Sequence, residues 1–319
     1  MRGSRYALKN AAFAAGRAAG PRTPHASDDM DKDGKIKALL IDLNGTVVQG
    51  NEALPGSLKA LERLREARVP HIFCSNTTKE SSASLLAKIR SAGIQAQEAD
   101  LLSSLSASQP CTRLSAYHHR PLLLLSPSGK EEFAHLAPET PDTIYDSVVI
   151  GLHDEALSYP ALNKAFRVLK GEPIASSPIT KATVKKPILL APHASLFHQS
   201  SATDSLPAGL SLGPGPFIRG LEEATGVKAE IVGKPTKRFF ELGIEKMRGL
   251  YGDVEFGIAD VGVVGDDVTN DFGAGADELG LRKLLVKTGK YRAGVEEGKG
   301  MDGMYESFAA FVDELLDGK

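Results

Sequence analysis

From residue 36 onward, short unbroken apolar runs alternate with stretches whose apolar positions recur every three or four residues. IKALLID (36 to 42), VPHIFCSN (69 to 76) and DVGVVGDD (260 to 267) have no polar alternation, the mark of strands buried on both faces. LPGSLKALERLREAR (54 to 68) predicts a helix with Leu58, Leu61 and Leu64 on one face. TKESSASLLAKIRSAG (78 to 93) predicts a second helix, closed by Gly93. Strand, helix, strand, helix implies a parallel sheet covered on both sides.

The rhythm changes after SSLSASQPCT (103 to 112), a small polar stretch suited to a hinge. PLLLLS and YDSVVIGL predict further strands and YPALNKAFRVLKG a helix. Residues 173 to 212 show no clear period and predict a loop-rich insertion. LGPGPFIRGLEEATG then predicts a helix with Phe217, Leu221 and Ala224 inward. AEIVG and LRKLLVKTG predict strands, PTKRFFELGIEKMRGL and YESFAAFVDELLDG helices. The expected architecture is a doubly wound, Rossmann-like α/β parallel-sheet core, residues 35–107 and 213–319, with an inserted α/β cap at 108–212.

Composition narrows the function classes. A hydrophobic content of 42% supports a real core, and a net charge of −2 offers no basic field for nucleic acid or anionic lipid. No apolar run approaches the ~20 residues that span a bilayer. The two cysteines, Cys74 and Cys111, have neither metal-ligand spacing nor a disulfide framework, so a reducing, cytoplasmic setting is the expectation. Residues 1–34 stand apart. Five basic residues and no acid in the first 27 fit a disordered tail, or a transit peptide to a mitochondrion or plastid.

Four places could carry chemistry, each at the carboxyl end of a predicted strand or the start of a helix, where open α/β sheets bind ligands. Asp42 ends the first strand, although the following Asn44-Gly45 is also a hairpin signal. Ser75, Asn76 and Thr77 follow the second strand, where backbone N–H groups and hydroxyls suit a phosphate or simply cap a helix. Lys234 precedes a Pro-initiated helix, as an anion-facing cation or a surface lysine. Asp266, Asp267 and Asp271 crowd one strand-to-helix turn. Packed carboxylates repel unless a cation neutralises them, and oxygen ligands without nearby His or Cys point to Mg²⁺.

The order Asp, Ser, Lys, Gly-Asp-Asp resembles the four motifs of the haloacid dehalogenase superfamily, in its large-cap subgroup of NagD and p-nitrophenyl phosphatase type. DLNGT, SNTTKES, LGPGPF, VGKP, GDD and LVKTGKYR carry the resemblance over about residues 35 to 319. It implies a Mg²⁺-dependent phosphatase acting on a small phosphorylated substrate. Asp42 would be the nucleophile, forming an aspartyl-phosphate. Asp42, the Asn44 carbonyl and Asp266 would hold the metal, with Asp267 and Asp271 orienting its ligands or waters. Ser75, Asn76 and Thr77 would hold phosphate, and Lys234 would neutralise Asp42 and the transferring group. Relatives often pair through the cap, which implies a homodimer; PLLLLS and SVVIGL could supply its contacts or fill the cap core. A dehalogenase of the same superfamily would not need the acidic cluster.

The resemblance has one departure. Two residues after the nucleophile most such phosphatases carry a second Asp, which protonates the leaving group and later activates water. Asn44 can do neither. Three consequences are expected in turn: a preference for leaving groups that need little protonation, a phosphate-binding protein of weak turnover, or deamidation at Asn44-Gly45 that restores an acid. The cap residues Lys181, Lys185 and Lys186 could meet an anionic substrate or form a solvated basic face.

Overall fold

The structure is a computed structural model that describes residues 35–108, 120–136, 143, 145–174, 187–200, 202 and 204–318. The basic tail, Cys111 and Lys181, Lys185 and Lys186 lie outside the described residues.

In chain order, β1 (Ala38–Asp42) leads to a ribbon of β2 (Val48–Gln49) and β3 (Glu52–Ala53), then α1 (Ser57–Glu66), β4 (His71–Ser75), α2 (Ser82–Ser91) and β5 (Leu101–Ser103). Next come β6 (Pro121–Leu124), α3 (Pro127–Glu131), β7 (Ser147–Ile150), α4 (Tyr159–Lys170), β8 (Ile188–Ala191), β9 (Phe197–Ser200), β10 (Gly209–Leu212), α5 (Gly215–Thr225) and β11 (Ala229–Ile231). The chain closes with α6 (Lys237–Leu250), β12 (Val261–Gly265), α7 (Gly273–Leu279), β13 (Arg282–Val286), β14 (Gly303–Tyr305) and α8 (Phe308–Asp317).

The main sheet is parallel, in the order β14-β13-β12-β1-β4-β5. The chain builds outward from β1 to one side, then returns to the other through β12, so Asp42 ends the strand at the topological switch point. Side-chain alternation explains why β1 is apolar up to Asp42. Ala38 and Leu40 join Ile72, Phe239, Phe240 and Met247 on one face, while Leu39 and Ile41 join Leu61, Leu64, Phe308 and Phe311 on the other.

A second parallel sheet, β11-β8-β7-β6, is covered by α4 and α5. The strands in PLLLLS and SVVIGL are largely buried and fill this layer instead of offering a contact face. Two expectations change here. Residues 187 to 212, read as irregular, contain β8 and the antiparallel ribbon β9-β10. Each run is only four residues long, and those of β9 and β10 mix polar with apolar residues, which hides them from periodicity. And α5 with β11, which the sequence assigns to the core, belong to the second layer. β11 pairs with β8, and Ile218 and Leu221 bury against Leu122, Val148 and Leu189.

Individual faces differ as well. Leu58 on α1 is 42% exposed; Ala60, Leu61 and Leu64 make the contact. On α5, Ile218 and Leu221 are buried and Ala224 is exposed. The Asn44-Gly45 turn does not fold β1 back into a hairpin, since β1 pairs with β4 and β12 and the local ribbon joins β2 to β3.

Candidate active site

Parallel pairing sets the carboxyl ends of β1, β4, β12 and β13 side by side, and the acids collect there. Asp42, Asp266 and Asp271 are all buried, and each offers a carboxylate oxygen within 4.8 Å of the others. Lys234 is their counterion. It is 2% exposed, so it is no surface lysine. Its ammonium donates to Asp42 Oδ1, to Asp271 Oδ1 at 2.7 Å and to the Cys74 carbonyl at 3.1 Å. Thr46 adds a hydroxyl donor to Asp42 Oδ2 at 3.2 Å.

The charges are unbalanced. Burial, reinforced by Asp271 and Asp42, holds the Asp266 carboxyl well above the usual carboxylate range. Burial and the Asp42 charge push Asp271 up to about 6 against the pull of Lys234. Burial alone would lower Lys234, but Asp271 and Asp42 outweigh it and hold the ammonium above the ordinary lysine value. Fully ionised, the three carboxylates would exceed the one ammonium by two negative charges, which one divalent cation would neutralise. The donors are all oxygen, so the pocket fits Mg²⁺ chemically.

Asp266 is fixed from the neighbouring loop. The backbone N–H of Lys290, just past β13, donates to Asp266 Oδ2 at 2.6 Å. Gly45 (φ +92°) and Gly289 (φ +53°) converge on the same oxygen; a Cβ at either would overlap it. The Thr288 hydroxyl ties the two loops by donating to the Gly45 carbonyl.

Asp267 stands apart from this trio. It caps the following turn, accepting the Thr269 and Asn270 N–H groups at 3.1 and 3.0 Å, and pairs with Lys290 Nζ at 3.0 Å. Burial opposes ionisation there, but Lys290 and the Asn270 hydrogen bonds win and hold the carboxyl below its usual range. The turn therefore divides its acids: Asp267 is the cap and Asp266 belongs to the cluster.

Ser75 is buried at the end of β4, and its hydroxyl accepts the Thr77 N–H at 3.2 Å. It caps no helix; Ser81 does that for α2. Asn76 also grips the Lys234 backbone. Its Oδ1 accepts the Lys234 N–H at 3.0 Å and its Nδ2 donates to the Lys234 carbonyl at 2.9 Å. Both ends of the side-chain amide bond the lysine backbone, which leaves the second Nδ2 hydrogen and the main-chain N–H of Asn76 as donors for a phosphate.

Asn44 is exposed between buried Leu43 and Gly45. The Gly45 N–H donates to the Val48 carbonyl at 2.7 Å. That nitrogen is the one that must close on the Asn44 side chain for deamidation, so the fold opposes the reaction that the dipeptide invites.

Reasoning from sequence missed Gly289, Lys290 and Thr46 as site residues. The signal was present: KTGK follows a parallel strand, at the same end of the sheet as Asp42.

Comparison with known proteins places this geometry. Residues 39–137 match a family described as haloacid dehalogenase-like hydrolase, and residues 231–313 match a second HAD-hydrolase-like family. Haloacid dehalogenase-like hydrolase domain-containing protein 2 of Homo sapiens is 37% identical over 88% of this chain and 96% of its own. Phospholysine phosphohistidine inorganic pyrophosphate phosphatase of Bos taurus is 31% identical over 88% and 94%. Among solved structures, the 4-nitrophenylphosphatase of Thermotoga maritima superposes with a TM-score of 0.71 at 22% identity, covering 88% of this chain and 98% of that one. With similarity running the length of the relatives and the fold shared as well, the chain belongs to the haloacid dehalogenase-like hydrolases.

Proposed function

We propose that the protein is a Mg²⁺-dependent phosphatase that works through an aspartyl-phosphate on Asp42 and favours substrates with good leaving groups. The observation that carries this is the buried set of Asp42, Asp266 and Asp271 around Lys234, which combines a nucleophile, a fixed cation and, when fully ionised, a deficit of two positive charges. Asp42, Asp266 and the Asn44 carbonyl would hold the metal, which when bound neutralises charge on the transferring phosphoryl group.

The chain's own residues do the rest. Asp42 attacks phosphorus, the bond to the leaving group breaks, and water later releases phosphate and restores the carboxylate. Lys234 donates to Asp42 and offers a positive charge that is already in place. Ser75 and the backbone of Asn76 and Thr77 receive the phosphate oxygens. Asp271 holds Lys234 in line and, through its bond from the Asp267 N–H at 2.9 Å, braces the turn.

Asn44 sets the substrate class. Without a general acid, turnover of poor leaving groups such as sugar alkoxides falls by about 10²–10⁴-fold. Pyrophosphate, acyl phosphates and N-protonated phosphoramidates need no such acid. The bovine relative's name, which specifies phospholysine, phosphohistidine and pyrophosphate, agrees with this class. The same residue favours a second reading, a protein that binds Mg²⁺ and phosphate-bearing ligands with little turnover. The β9-β10 ribbon exposes Phe197, Leu210 and Leu212 on one face, which suits pairing with a second copy.

Phosphate release is the test, with and without Mg²⁺, from pyrophosphate, acetyl phosphate, imidodiphosphate, p-nitrophenyl phosphate and sugar phosphates. Wild type should act on the first group and Asp42→Asn on none. Sugar phosphates turned over as fast as pyrophosphate would sink the leaving-group argument. A silent wild type beside an active Asn44→Asp would establish the second reading.

A further inference from the structure

The LGPGPF segment has no part in the chemistry above, yet its glycines are tightly constrained. A Cβ on Gly213 would overlap the Ser195 carbonyl oxygen, and one on Gly215 would overlap that of Ala194. The segment lies against the loop between β8 and β9. The Gly215 N–H donates to the Ser195 carbonyl at 3.1 Å and the Gly213 N–H to that of Leu196 at 2.8 Å. The close approach fixes the backbone of Ser195, a buried residue of the second layer.

From that place Ser195 reaches across to the first layer. Its hydroxyl donates to Asn270 Oδ1 at 2.9 Å, and His193 Nδ1 backs it at 3.1 Å. The other end of the Asn270 amide donates to Asp267 Oδ2 at 2.6 Å. Asp267 Oδ2 also receives Lys290 Nζ, and the Lys290 backbone holds Asp266. An amide has one acceptor end and one donor end. With Ser195 occupying the acceptor, the donor is aimed at Asp267.

We propose that Asn270 is a positioning residue that couples the inserted layer to the carboxylate turn, with Ser195, set by the LGPGPF segment, as its partner. When the inserted layer is seated, Asn270 holds Asp267 against Lys290 and so steadies the loop that presents its N–H to Asp266. When Ser195 withdraws, the Asn270 amide is free to rotate and the turn loosens. The inference builds on the phosphatase reading for its role in the reaction, while the coupling itself needs neither metal nor substrate.

The test is amide hydrogen exchange on metal-free, full-length protein, comparing wild type, Ser195→Ala, Ser195→Thr, Asn270→Ala and the double alanine variant. Ser195→Ala should speed exchange in residues 266–272 by about tenfold, as expected when a local opening becomes easier. Exchange in Gly303–Asp317 should stay as in wild type, and Ser195→Thr should restore protection. Asn270→Ala should match Ser195→Ala, and the double variant should go no further, because one chain of contacts is being cut twice. Unchanged exchange at 266–272 in Ser195→Ala, or additive effects in the double variant, would overturn the proposal. Coupled exchange in a wild type that releases no phosphate from any substrate would sink the phosphatase reading and leave the coupling standing. In an active enzyme, Ser195→Ala should raise the Mg²⁺ concentration needed for half-maximal rate by about tenfold, as loss of outer partners of a metal site does.

Discussion

Lys234 and Asp271 form a buried ion pair, Nζ to Oδ1 at 2.7 Å, and the same ammonium donates to Asp42. The lysine is thus a shared counterion. Removing it strands carboxylates in a desolvated setting, which costs about 3–5 kcal/mol when one member of a buried pair is lost. Lys234→Met should lower metal-free stability by that amount in urea unfolding at neutral pH, with Mg²⁺ recovering part of it. Phosphate release should fall at least about 10²-fold.

Gly289 has a positive φ and no room for a Cβ beside Asp266. Gly289→Ala should therefore act on the metal more than on the fold. Mg²⁺ affinity by calorimetry should weaken about tenfold or more, while the strain costs about 1–3 kcal/mol. Wild-type affinity in this variant would mean that Asp266 does not meet the metal.

Asn76 gives a kinetic distinction. If its side chain only clamps Lys234, Asn76→Ala should lower kcat with KM nearly unchanged. Stability should drop by about 1–3 kcal/mol for the two buried groups left unpaired. Asn76→Asp should recover at most one bond, because a carboxylate can accept the Lys234 N–H but repels the Lys234 carbonyl. A raised KM with normal kcat would return the side chain to phosphate binding.

His193 is buried, and burial, helped by Lys290 and His198, lowers its pKa to about 3. An unfolded imidazole takes up a proton near 6.5. Between those values the unfolded chain binds more protons, so stability falls as pH drops from about 6.5 toward 3. The contribution is about 1.4 kcal/mol per pH unit, or about 2 kcal/mol between pH 6.5 and 5. Asp266 and Asp271, raised in the fold, act in the opposite direction, so the difference between wild type and His193→Asn is the quantity to measure. In that difference the variant should lose less stability on acidification.

The site is legible in the sequence where it obeys a positional rule. Asp42, Ser75 and Asp266 end or follow apolar runs, and the parallel sheet brings such ends together without further information. Lys234 is harder, since nothing local distinguishes a buried lysine from an exposed one; its environment comes from strands far away in sequence. Asn76 shows the limit from the other side. Its type suits phosphate, but its partners lie 158 residues on, and only the fold reveals that they occupy it. The ribbon β9-β10 escaped because alternate residues face solvent over just four positions per strand.

The ladder between β11 and β8 does not stop at Ile231. Val232 N–H bonds to the Ala191 carbonyl at 3.1 Å and Gly233 N–H to that of Pro192 at 2.7 Å. The pairing of the inserted layer thus runs to the residue before Lys234. A chimera made by exchanging this layer with that of a relative would have to take its seam at residue 234, not at 212, or the lysine would inherit a mismatched tether. Modularity in this chain ends one peptide bond short of the cation.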